Sequence, residues 1–282
     1  MSVLYVLGSG SAGNALALHH AGTTLLIDAG FSAREILRRA ATVGLPLSDV
    51  AGLLLTHEHG DHTSGAPQLA KDLGIAVVAT AGTWHRLRDR MGAARHVPLP
   101  VLGRVELGPF IVESAPTSHD AAEPVAVAIS VAGGPRVGIA YDLGRPTAAV
   151  RYLLTRLDAL VLEANHDEVR LRTSGYPAVV RHRILGSGGH LSNRAAADLV
   201  AELAHPGLGL VVLAHLSERC NTEAEARAAV AAALEAAELT CELRVARQDV
   251  PMGPLIVRGA GPGRPESEWN RAAAMEVPPA SV

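Results

Sequence analysis

Apolar positions fall along this chain in short runs, each broken by glycine, proline or a polar turn. Runs of that kind read as strands buried on both faces, and longer periodic stretches between them read as helices. The first strand covers residues 3–7 and stops at Gly8-Ser9-Gly10-Ser11-Ala12-Gly13-Asn14. Strands over 15–20 and 23–28 follow, with Ala21-Gly22 as the turn between them. Ser32 suits the N-cap of a helix over 33–41, because its hydroxyl can accept from a free backbone amide there. The apolar triplet 53–55 predicts a short buried strand, then helix 63–73, strand 76–79 and a helical stretch over 82–91. Strands dominate next, over 101–107, 110–114, 125–131 and 137–141.

A second half of the chain is expected to begin near Arg145-Pro146. It carries helices over 147–154, 176–185, 194–203 and 222–238, and strands over 160–163, 208–214, 242–246 and 255–257. Strands and helices mixed in both halves predict an α+β fold. Its form is two stacked sheets covered by helices on both outer faces, a four-layer αββα sandwich. One domain is expected over 1–258, with a flexible tail over 259–282 that opens Gly259-Ala260-Gly261-Pro262-Gly263. No fixed-period repeat is present.

Composition narrows the classes. Apolar residues make up 48% of 282 residues, enough for a large core. No uncharged apolar run approaches the roughly eighteen residues of a membrane span, so no membrane partner is expected. The start Met1-Ser2-Val3-Leu4-Tyr5 lacks a basic leader and enters a strand at once, which argues against a signal peptide. Cys220 and Cys241 do not form a disulfide framework. A reducing, cytoplasmic location follows as the expectation. The net charge of −3 gives no global basic field for nucleic acid. The basic residues are almost all arginine, with Lys71 the single lysine.

The chemistry concentrates in Thr56-His57-Glu58-His59-Gly60-Asp61-His62, directly after the apolar triplet. Imidazole and carboxylate are the ligands of zinc- or manganese-type cations. His57 and His59 lie two apart and point the same way on an extended segment. Asp61 and His62 follow where the chain turns into a helix, so one pair can serve one metal and the second pair another. Three further candidates sit just past apolar strands: His119 in Thr117-Ser118-His119-Asp120, Asp142 in Tyr141-Asp142-Leu143-Gly144, and His215 in Ala214-His215-Leu216-Ser217. Strand ends can bring all of them to one sheet edge.

A second group could meet a substrate. The glycine-rich loop with Ser9, Ser11 and Asn14 could cradle phosphate through backbone amides. Glu163-Ala164-Asn165-His166-Asp167 puts His166 beside an acid. Ser187-Gly188-Gly189-His190-Leu191-Ser192-Asn193 opens a helix, where free amides favour an anion and His190 could protonate a leaving group. Ser192 and Asn193 are also natural helix caps. Arg86, Arg88, Arg90 and Arg95 form either a solvated helix face or a backbone-tracking groove.

Taken together, these stretches resemble the metallo-β-lactamase-fold hydrolase superfamily. Within it they resemble the YycJ/WalJ branch, on Gly-Ser-Gly-Ser-x-Gly-Asn at 8–14, Thr-His-Glu-His-x-Asp-His at 56–62, Ser-His-Asp at 118–120, Glu-x-Asn-His-Asp at 163–167, Gly-His-Leu-Ser-Asn at 189–193 and His-Leu-Ser at 215–217. The resemblance implies a metallo-β-lactamase sandwich with two divalent cations, zinc or manganese. His57, His59 and His119 would hold one, Asp61, His62 and His215 the other, and Asp142 would bridge them. Asp61, His190 and His166 are the catalytic candidates, and a water polarised to hydroxide would be the nucleophile. The implied activity is a 5′-to-3′ exonuclease with DNA as its nucleic-acid substrate. The alternatives are a small-molecule hydrolase of the same fold (a cyclic phosphodiesterase, lactonase or thioesterase) and a non-catalytic regulatory metalloprotein. One departure from the branch pattern is Cys220 before Asn221, where two asparagines are usual; Cys220 could be an extra soft contact or a buried bystander.

Overall fold

The computed structural model describes residues 1–259. All of the first strand, β1 (Ser2–Gly8), is buried. Leu4 and Val6 enter one apolar cluster while Val3, Tyr5 and Leu7 enter another. That is the physical meaning of its unbroken apolar run: the strand has a core on each face. β2 (Ala15–His20) and β3 (Thr23–Ile27) return beside it in antiparallel register. α1 (Ala33–Thr42) starts at Ser32, whose Oγ accepts from the Glu35 amide as expected.

The chain continues through β4 (Val50–Leu54), α2 (Gly60–Thr63), α3 (Ala66–Leu73), β5 (Val77–Ala79), α4 (Ala81–Met91) and β6 (His96–Pro98). It then crosses to a second sheet with β7 (Gly103–Leu107), β8 (Phe110–Pro116), β9 (Val125–Val131) and β10 (Arg136–Ala140). α5 (Ala148–Leu153), β11 (Ala159–Glu163), α6 (Glu168–Thr173), α7 (Ala178–Leu185), α8 (Asn193–Leu203), β12 (Leu210–Ala214), α9 (Glu223–Ala236) and β13 (Glu242–Val245) follow. The last strand, β14 (Met252–Val257), leaves this sheet and pairs antiparallel with β1.

Each sheet has seven strands, in the orders β14-β1-β2-β3-β4-β5-β6 and β13-β12-β11-β10-β9-β8-β7. Leu16, Ile27, Phe110, Ile129, Val161 and Val212 belong to the apolar layer between them. Ile36, Leu69 and Leu87 of α1, α3 and α4 pack on the outer face of the first sheet. Val150, Val200 and Val230 of α5, α8 and α9 pack on the outer face of the second. These are the four layers αββα of the expected α+β sandwich.

Three expectations change. The helix expected over 63–73 is two pieces, because Gly65 lies too close to Phe31 for any side chain and Pro67 opens a new helix. A Cβ on Gly65 would lie 2.0 Å from the Phe31 carbonyl oxygen. The division near Arg145-Pro146 is not the boundary between the sheets: β7, β8 and β9 already belong to the second sheet, and β14 returns to the first. The edge strand β6 and the short helix α6 lacked enough apolar periodicity to be foreseen. The expected tail, Gly259 apart, lies outside the described residues. No helix among the described residues is long and apolar enough to cross a membrane.

Candidate metal centre

The site is a rim of loops at the ends of strands from both sheets. Three residues at this rim that are not glycine adopt the left-handed conformation: Asp28 after β3 (φ 57°), Asp142 after β10 (φ 56°) and His215 after β12 (φ 54°). Such residues are costly and cluster at functional sites. All three side chains end in one connected cluster, which also takes His57 and His59 from the loop after β4, Asp61 and His62 from α2 and His119 from the loop after β8.

His59 Nδ1 lies 3.1 Å from His57 Nε2 and 3.2 Å from His119 Nε2. Asp61 Oδ2 lies 3.3 Å from His215 Nε2 and 3.4 Å from His62 Nε2. Asp142 stands between these groups. Its Oδ2 is 2.9 Å from His62 Nε2 and 3.7 Å from His57 Nε2, and its Oδ1 is 3.7 Å from His215 Nε2 and 3.8 Å from His119 Nε2. The structure thus brings together His57, His59, Asp61, His62, His119, Asp142 and His215.

Outer partners orient the rings. The Asp28 carboxylate accepts from the Thr56 amide (2.8 Å), the Thr56 hydroxyl (2.8 Å), the Tyr141 hydroxyl (2.6 Å) and His62 Nδ1 (2.7 Å). With its proton spent on Asp28, the Thr56 hydroxyl accepts from His57 Nδ1 at 3.1 Å. His119 Nδ1 donates to the Gly189 carbonyl at 3.1 Å. A ring whose Nδ1 proton is claimed by a fixed acceptor presents the Nε2 lone pair to the centre, the arrangement found around metal-binding imidazoles. Burial, aided by the charge on His62, pushes the His57 imidazole well below its usual range, so it stays neutral. Burial works against charge on His62 as well, but Asp142 and Asp28 outweigh it and raise that pKa well above normal.

This donor set fits divalent cations. Imidazole nitrogen and carboxylate oxygen are the right chemistry. Asp142 Oδ2 is buried and, apart from its 2.9 Å ion-pair contact with His62 Nε2, makes no hydrogen bond of acceptable geometry, which leaves it able to take a cation. Cys220 is fully buried and stands outside the groups of converging donors.

The centre opens into a cavity of about 310 Å³ lined by Ser11, His59, Asp61, His119, Asp142, Arg183, His190 and His215. His190 Nδ1 lies 2.7 Å from Glu163 Oε1 and 3.2 Å from Asp142 Oδ1. Burial opposes the His190 charge, but Glu163 and Asp142 push its pKa up to about 11. Glu163 Oε2 accepts from the Leu143 and Leu191 amides, which fixes the carboxylate against both loops.

Other sequence candidates are placed differently. His166 is buried, and neither ring nitrogen has a hydrogen-bond partner. It does not line the cavity, because its segment runs beneath Ser192, with which it forms a lone bridge. The acid of that motif, Glu163, meets the site instead. Ser9 donates to Asn14 Oδ1 at 2.7 Å and accepts from the His215 amide at 2.9 Å, so both side chains hold the loop. Asn14 Nδ2 also lies 3.1 Å from His62 Nε2. Ser192 caps α8, and Asn193 is paired with Asn221 at 2.8 Å. Of this phosphate-binding group, Ser11 alone lines the cavity.

The Beta-lactamase superfamily domain matches residues 23–216. The chain belongs to that superfamily. Exodeoxyribonuclease YycJ of Bacillus anthracis is 34% identical over 82% of this chain and 88% of its own length. Exodeoxyribonuclease WalJ of Streptococcus pneumoniae is 29% identical over 88% of this chain and 90% of its own. The chain is therefore a YycJ/WalJ-like protein of the metallo-β-lactamase fold. The metallo-β-lactamase fold protein YhfI from Bacillus subtilis superposes with a TM-score of 0.68 at 16% identity, covering 89% of this chain and 98% of that one. The short form of human tRNase Z gives 0.61 at 17% identity, covering 91% and 100%. Both solved structures show the fold alone. As a superfamily member with hydrolase-named relatives, the protein is a metal-dependent hydrolase.

Proposed function

We propose that this hydrolase cleaves phosphodiester bonds as a DNA exonuclease of 5′-to-3′ polarity, with a two-cation centre of zinc or manganese. His57, His59 and His119 would hold one cation and Asp61, His62 and His215 the other, with Asp142 placed to bridge them. The observation that carries this reading is the position of Asp142, buried within 4 Å of imidazoles from both sets. The names of the YycJ and WalJ relatives support DNA as the substrate class.

When bound, the cations polarise water and neutralise charge on the phosphoryl oxygens. The protein's own residues do the rest. Asp61 accepts from the attacking water and orients it. His190, charged by its contacts with Glu163 and Asp142, holds a proton at the cavity wall where an alkoxide leaving group needs one. Ser11 and Arg183 bind the phosphate at the lip.

The test is incubation of zinc- and manganese-loaded protein with end-labelled DNA, end-labelled RNA and a chromogenic phosphodiester. Stepwise release of 5′-terminal nucleotides from DNA is the expected result. Hydrolysis of the chromogenic ester with both nucleic acids intact would overturn the nuclease assignment in favour of a small-molecule phosphodiesterase.

A further inference from the structure

Residues 169–197 contain no aspartate or glutamate, in a chain of net charge −3. Their charged side chains are all arginine: Arg170, Arg172, Arg181, Arg183 and Arg194. The central element of this stretch is α7, and none of its residues is buried. Val179 is 74% exposed and Leu185 42%. Val180, Arg181 and Ile184 are only half-buried, so packing alone does little to fix the helix on the surface. α7 is anchored instead at its C-terminal end, beside the metal centre. The Ser118 hydroxyl donates to the Ser187 carbonyl, the Gly144 amide donates to the Ser118 carbonyl, and His119 Nδ1 donates to Gly189.

This anchorage places Arg183 on the wall of the catalytic cavity with Ser11 and His190. The Arg183 guanidinium is gripped by Asp120, with Nε at 2.8 Å and Nη2 at 2.7 Å from Oδ2. Its side chain is 69% exposed, and an ion pair so open to solvent is weak. A phosphodiester oxygen can replace the carboxylate at the same fork. Two residues back, Arg181 donates to the Tyr176 carbonyl, and the Tyr176 ring lies 5.4 Å from the Arg219 guanidinium. Arginine interleaved with a half-buried aromatic that still reaches the surface is the kind of surface that binds a single strand by its backbone and stacks its bases.

We infer that the stretch from Tyr176 to Arg183, which leads into and along α7, is the track along which one DNA strand reaches the metal centre, with Arg183 passing phosphates from the surface to the cavity. This rests on the nuclease reading and adds to it the side from which substrate arrives. The contrasting site is α4, whose Arg86, Arg88 and Arg90 are equally basic but do not line the cavity.

The experiment compares two double variants of equal charge change, Arg181→Ala/Arg183→Ala and Arg86→Ala/Arg88→Ala. Each manganese-loaded protein is assayed on a 5′-labelled oligothymidylate across a range of salt concentrations. Losing two phosphate contacts should flatten the plot of log(kcat/KM) against log[salt] by about 1.4, since each single-strand contact contributes about 0.7. The α7 variant should show that loss and a raised KM, and the α4 variant should keep the wild-type slope. Arg183→Lys should restore part of the slope, because the charge returns without the fork. Equal slopes in the two double variants, or a larger change in the α4 pair, would overturn the α7 track while leaving the nuclease intact. A wild-type enzyme that hydrolyses bis(p-nitrophenyl) phosphate but no oligonucleotide would remove the nuclease reading and this proposal together.

Discussion

Asp28 ligates nothing in the proposed centre, yet it receives four hydrogen bonds, from Thr56 twice, His62 and Tyr141. Its loss would release two metal-facing imidazoles at once, His62 directly and His57 through Thr56. Asp28→Asn should therefore lower cation affinity about 10- to 100-fold, the usual cost of removing an outer partner. Isothermal titration with zinc checks this; wild-type affinity would reduce Asp28 to a fold residue. Asp142→Ala should behave differently, losing the bridge and with it both cations and activity, as measured by metal analysis of the purified protein. His190→Ala should keep its metal content while slowing phosphodiester cleavage by about 10²–10⁴-fold, the range of general-acid contributions. The same end-of-strand signal that singles out Asp142 and His215 in the sequence was present at Asp28, after the apolar run of β3, and at Glu163, after that of β11. Neither stood near a histidine of ligand spacing except His166, and that neighbour drew the catalytic assignment away from Glu163. Which of two adjacent polar residues turns inward is decided by tertiary packing, and the letters alone do not carry it.

Elements were more legible than residues where one physical cause dominated. Double burial made β1, β9, β11 and β12 readable as unbroken apolar runs, and Ser32 marked the start of α1 by its hydroxyl. Elements shaped by close backbone approach were not readable. The loop after β3 and the loop before β2 both pack tightly on the His-rich segment: the Ala29 amide donates to the His62 carbonyl at 2.7 Å and the Asn14 amide to the Asp61 carbonyl at 2.8 Å. A Cβ on Gly30 would sit 1.8 Å from the Asp61 carbonyl oxygen. Gly30→Ala should therefore cost about 3 kcal/mol or more, since the obstacle is backbone and cannot rotate away. It should also lower metal content, because the loop it displaces carries Asp61 and His62. Gly175→Ala, where nothing lies within 4 Å, is the matched control and should leave both unchanged. Thermal unfolding together with metal analysis separates the two. If Gly30→Ala kept its full metal content, the two loops would not be coupled as the contacts indicate.

Across the whole molecule, the centre ties stability to pH in opposite directions with and without metal. In the metal-free protein, burial opposes charge on His215, but Asp142, Asp61 and Glu163 raise its pKa from 6.5 to about 9. A folded-state pKa above the unfolded value means that the contribution is complete below pH 6.5 and disappears as pH rises through about 9. The metal-free protein should thus lose stability over that interval. A cation needs the neutral Nε2 that this proton occupies, so binding must expel it. Metal affinity should therefore rise over the same interval, by about tenfold per pH unit for each proton displaced. Because ligand bound to the native state adds stability as RT ln(1 + [L]/Kd), the loaded protein gains what the empty one loses. The melting temperatures of chelator-treated and zinc-loaded protein should accordingly diverge as pH increases from 6.5 to 9. Calorimetric titration at fixed pH in two buffers of different ionisation enthalpy should register the released protons directly. Parallel melting curves with no buffer dependence would mean that the imidazoles are already neutral, and that the carboxylates around them do not set their charge.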